Sequence, residues 1–268
     1  MLVVSALLML TGAAAAPIAE MQEDDTPDIA AEAPAEQDDE RYATLKRHLD
    51  AAEYRKITEI LYSNRDAAVA EQDALWLREQ SLKGQSAFIN LTYSDYLWQA
   101  LSDHGDAARP ILATSAAMLL YTLIVFDIDG ARCVDRTAPS DRSLKIMSSR
   151  GDRMQFIQSL TEEEKESVTN IVLMLDELTA EKRAEDFDAE FLCTGGMQQM
   201  MQGLLSGTVR EREPREGEIG RQFEVDDGGS YVPELIEREK WDKIAAEKRA
   251  KLPETVKSFL EGSDRPDD

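Results

Sequence analysis

Two aspartates two residues apart, Asp127 and Asp129, follow an apolar run that ends at Phe126. At a strand end, carboxylates at that spacing project to one side and can share a metal ion. Sulfur chemistry is confined to Cys133 and Cys193, which allow a single intramolecular pairing. In an exported chain such a pair reads as a disulfide, and closing a loop of that length stabilises a fold by roughly 4 kcal/mol. Histidine chemistry is almost closed by count, since His48 and His104 are the only two. No serine sits in a nucleophile elbow, and there is no phosphate loop or paired CxxC. From these residues no metal and no cofactor are expected.

Residues 123–130, LIVFDIDG, resemble the first motif of the haloacid dehalogenase-like phosphohydrolases, an apolar strand ending in Asp-x-Asp. The resemblance implies magnesium-dependent hydrolysis with Asp127 as nucleophile and Asp129 as acid/base. It further implies Ser148 as the phosphate-binding hydroxyl, Lys182 as the cation, and Asp226 with Asp227 as a second acidic pair. Read from the residues themselves, the same aspartates end a buried helix, with Gly130 as its stop and Arg132 or Arg136 as their partners. The two readings part at one point: whether residues 123–126 are strand or helix.

The surrounding periodicity is helical. Tyr42, Leu45, Leu49 and Ala52, then Ile57, Ile60 and Leu61, recur at three and four. A second helix spans 65–83, with Leu75 and Leu82 on one face and Gly84 as stop, and a third starts at Ser86 and carries Ile89, Tyr93, Leu97 and Leu101. Pro110 opens a fourth, in which residues 111–126 carry no charge. A helix apolar on every side must be surrounded, so this one is placed at the centre of the fold. It is short for a membrane span and closely bounded by Arg109 and Asp127.

After a polar loop at 132–141, helical spacing returns at Leu144, Met147, Met154, Phe156 and Leu160. Thr161 and Glu164 form a capping box for a helix that buries Val168, Ile171, Val172, Leu175 and Leu178. Residues 187–205 read as one helix or a pair broken at Thr194-Gly195-Gly196, with Met197, Met200 and Met201 as adaptable core filler. The expected class is all-α: a disulfide-tied antiparallel bundle over 41–206, a linker at 207–231, and a charged C-terminal helix or pair at 232–262 interrupted at Pro253, before a tail at 263–268. Leu235, Ile236, Trp241 and Ile244 make one apolar stripe on that last element. They are the candidate partner-binding residues, and docking back onto the bundle is their favoured use.

The ends and the charge set the expected compartment. Residues 1–16 hold an apolar run, a break at Gly12 and three alanines before Pro17, the layout of a secretory signal peptide without its basic start. Residues 17–40 carry ten acids and no base and read as a disordered acidic linker. With a formal net charge of −23, the chain repels phosphate backbones and anionic lipid. Neither nucleic acid nor an anionic membrane surface is an expected partner; an envelope protein is. The expectation is a periplasmic or secreted, non-catalytic binding or scaffold protein.

Overall fold

The computed structural model describes residues 35–64, 66–213, 222–226 and 231–262. The expected signal peptide, most of the acidic linker, Asp227 and the tail lie outside the described residues. The chain divides into two compact units, Met1–Trp76 and Leu77–Asp268. This division falls inside the expected 41–206 domain and groups the C-terminal helices with the larger unit.

The first unit holds α1 (Ala35–Asp50), α2 (Tyr54–Ser63) and the start of α3 (Ala67–Leu82). Helix α1 begins earlier than the acidic composition suggests. Arg47 and His48 fall in its last turn, where the dipole favours cations. Leu45, Leu49, Ile57 and Leu61 are buried as their spacing predicts. Beside them, Asp73 is fully buried and accepts from Arg41 Nε at 3.0 Å and Nη2 at 2.7 Å, with the Tyr42 hydroxyl at 3.2 Å.

In the second unit α3 gives way to α4 (Ala87–Leu101), opened by Ser86, whose hydroxyl accepts from Phe88 N. A short 3-10 segment leads to α5 (Arg109–Ile128), with proline in its first turn, and nearly every residue of α5 from Ile111 onward is buried. The stretch Ala87–Arg132 contains a window long and apolar enough to cross a membrane, and 83% of that window is packed inside the fold. Small residues let α4 and α5 approach closely: Ser94 Oγ donates to Ser115 O and Ser115 Oγ to Ser94 O, both at 2.8 Å. Helices α6 (Thr137–Ser148), α7 (Gly151–Gln158) and α8 (Glu162–Glu185) complete the wall around α5. The capping box at Thr161 and Glu164 is formed, and Glu164 also takes both Arg109 Nε at 2.6 Å and Nη2 at 2.9 Å.

Two short helices follow, α9 (Ala189–Cys193) and α10 (Met197–Ser206). The expected linker at 207–231 instead contains an antiparallel pair, β1 (Thr208–Arg212) and β2 (Gln222–Asp226), in register from Thr208 with Asp226 to Arg212 with Gln222. Alternation over five residues is too short to outweigh the arginines and glutamates that make this region read as loop. The last described elements are α11 (Arg238–Ala250) and α12 (Leu252–Glu261), so the break precedes Pro253, which occupies the first turn of α12 where proline is tolerated.

Candidate functional site

Asp127 and Asp129 stand at the end of a helix, because residues 123–126 belong to α5. The strand-borne carboxylate pair that the phosphohydrolase resemblance requires is therefore absent. The two side chains also go to separate partners. Asp127, half-buried, accepts from Lys248 Nζ of α11 at 2.8 Å. Asp129 is buried and accepts from Arg183 Nη1 of α8 at 3.0 Å. Arg183 Nη2 bonds Asp176, which in turn takes Arg249 Nε at 2.9 Å. Arg249 Nη2 and Asp129 Oδ1 face each other at 3.8 Å, neither with a hydrogen-bond partner.

Burial pushes the Asp129 carboxyl above the usual carboxylate range, against the pull of Arg183 and Arg249. The neighbouring Tyr121 phenol, buried and bonded to Thr179, is pushed up to about 12 by the same desolvation. These groups form an interlocked ion cluster that fastens α8 and α11 to the end of α5. Lys182 is not part of it; its ammonium is held by Asp186 Oδ2 at 2.7 Å. Ser148 donates to Lys145 O of its own helix. Sequence reasoning missed Asp176, Arg183, Lys248 and Arg249. The signal was the seven-residue spacing of Asp176 and Arg183, which puts both on the face of α8 that buries Leu175 and Thr179.

Neither expected arginine is hydrogen-bonded to these aspartates, although the charge of Arg132 adds to the pull on Asp129. Arg132 lies over the Phe187 ring at 4.7 Å and the Trp241 ring at 5.7 Å, and Arg136 Nη1 reaches Gly130 O at 3.4 Å. Gly130 has no left-handed backbone; glycine is required because a Cβ would stand 2.7 Å from that of Pro139.

The C-terminal stripe docks inward. Trp241 is 1% exposed and its Nε1 donates to Ile128 O at 3.0 Å, so it is a core residue and not a partner-binding one. Ile244 is half-buried beside it. Ile236 N donates to Arg132 O and Val134 N to Glu234 O, both at 2.9 Å, which leaves only Leu235 of the four exposed.

The same loop is the anchor of α10. Cys133 and Cys193 form the expected disulfide, with both cysteines buried and their Cα atoms 5.4 Å apart. Structural disulfides are commoner in oxidising compartments than in reducing ones. Two residues past Cys133, the buried Asp135 carboxylate accepts from Gln198 N at 2.7 Å, and Thr137 Oγ1 accepts from Met197 N at 2.7 Å. Orphan N–H groups at the start of α10 are thus capped from a distant part of the chain. Burial works against the charge on Asp135, but hydrogen bonds from Thr137 and Gln198 outweigh it and hold its pKa below the usual range. The fit at the junction is tight, since a Cβ on Gly196 would stand 2.4 Å from Asp135 Oδ2.

So anchored, α10 is turned inside out. Gln199 and Gln202 are half-buried and Gly203 is buried, while Met197, Met200, Met201, Leu204 and Leu205 are 50%, 42%, 47%, 49% and 82% exposed. The methionines expected to fill the core stand outside it. Among the described residues, no group of three His, Cys, Asp or Glu side chains is placed to hold a metal ion.

The chain matches no protein-family model, no curated protein and no solved structure.

Proposed function

We propose that the protein is an exported, non-catalytic binding module of the bacterial cell envelope, acting in the periplasm, which takes a partner on the outer face of α10. One observation carries this reading: the five large apolar side chains on the outside of α10 in a chain of net charge −23. Met197, Met200, Met201 and Leu204 follow the three-and-four spacing that receives another helix. Methionine's flexible, polarisable chain suits a surface that must mould to its ligand. A contiguous apolar face of this kind on a soluble protein marks an interaction site.

The occupant is the amphipathic helix of an envelope protein that carries basic residues beside its apolar stripe. Such a helix is drawn in by the field of an acidic chain, whereas a second copy at −23 is repelled. The acidic balance also turns away nucleic acid and anionic lipid.

A helical peptide of leucine and lysine, with its leucines on one face, serves as the probe. Wild type is expected to bind it at least about tenfold more tightly than Met200→Glu/Leu204→Glu, even though the variant is more negative and so attracts the peptide more strongly at long range. Leu144→Glu, on the exposed face of α6, is expected to leave binding unchanged. Equal affinity for wild type and the double variant, or a dimer in sedimentation that the double variant abolishes, would overturn this assignment.

A further inference from the structure

We propose that Met197, Met200 and Met201 form a surface site for a soft monovalent cation, Cu(I) or Ag(I), held by three thioether sulfurs. This goes beyond partner docking and does not rest on it. At about 100° per residue, positions 197, 200 and 201 fall within roughly 100° of arc and about 6 Å along the axis of α10. Each side chain has three rotatable bonds beyond the backbone, so their sulfurs can converge over that short span into a trigonal set. All three are about half exposed, which leaves the sulfurs open to an arriving ion.

The donor chemistry selects the class of metal. Thioethers are neutral, soft ligands that favour Cu(I) over the hard divalent ions. Residues 197–206 contain no acid and no base, so nothing in the helix itself favours Mg(II) or Ca(II). Competition from thiolates within the chain is absent, because both cysteines are joined to each other. The backbone of the site is also organised before the ion arrives: Asp135 and Thr137 fix the first turn of α10, from which the three methionines extend at i, i+3 and i+4. At −23, the chain draws a cation toward its surface at long range.

The test uses the full chain in chloride-free buffer, with Ag(I) as the probe and native mass spectrometry and calorimetry as readouts. Wild type is expected to bind one Ag(I) more than Met197→Leu/Met200→Leu/Met201→Leu, and to show no comparable binding of Mg(II) or Zn(II). Leucine keeps the face apolar and close to the same volume, so the triple variant is expected to retain its thermal transition, and a loss of Ag(I) binding in it reports the missing sulfurs and not a loss of fold. Equal Ag(I) stoichiometry and affinity in wild type and the triple variant would overturn the proposal, as would Zn(II) displacing Ag(I) from wild type at equal concentration.

Discussion

The carboxylate of Asp135 caps a helix that starts far along the chain, accepting the backbone N–H of Gln198 at 2.7 Å across 63 residues. The disulfide two residues upstream of Asp135 closes the same junction at Cys193. Together they hold α10 by one end with its apolar side turned to solvent.

Removing the cap is expected to loosen α10 without unfolding the unit. Asp135→Ala should lower stability by about 1–2 kcal/mol, the usual cost of losing a capping side chain. Hydrogen exchange should locate the effect, with the amides of Met197 and Gln198 exchanging faster while those of α5 keep their protection.

Replacing Gly196 by alanine tests the same junction sterically. The new methyl would meet Asp135 Oδ2 at 2.4 Å and Ala138 Cβ at 2.8 Å, so a loss of about 1–3 kcal/mol is expected in chemical denaturation.

Reduction of the disulfide is expected to cost roughly 4 kcal/mol through the released loop of 60 residues. Alkylation without reductant should label neither cysteine, and denaturation midpoints of the reduced chain or of Cys133→Ser/Cys193→Ser should fall together.

Acid should act through Glu164. Arg109 holds its carboxyl at about 2, below the ordinary 4.5. Because the folded-state pKa is depressed, the stabilisation is fully present above pH 4.5 and is lost as the pH falls through about 2. Solvent screens this partly exposed pair, so the amount is on the order of 1–2 kcal/mol. Glu164→Gln should therefore be less stable than wild type at pH 7, and the gap should close as the pH approaches 2.

How much of this was readable beforehand follows from the physics of each element. Helix α5 was legible because an uncharged run of that length has nowhere to go except a core, and the capping box at Thr161 because Thr and Glu three apart satisfy the helix start locally. The disulfide was legible because two cysteines permit one pairing. What could not be read depended on long-range placement. Arg183 and Arg249 look like ordinary surface arginines until α8 and α11 bring them to Asp129 and Asp176. The outward turn of Met197, Met200 and Met201 is decided by the distant cap at Asp135 and the close approach at Gly196, whereas the local pattern of three methionines reads as core. Trp241 was ambiguous for the same reason, since the carbonyl it needs belongs to Ile128 on another helix.

The most direct test of the docking face uses the methionine ε-methyl resonances of the full chain, 13C-labelled and titrated with the leucine/lysine peptide. Saturable shifts confined to Met197, Met200 and Met201, with the buried Met118 unmoved, are the result expected. Unmoved resonances at those three positions while the peptide binds would contradict the assignment of α10 as the docking helix.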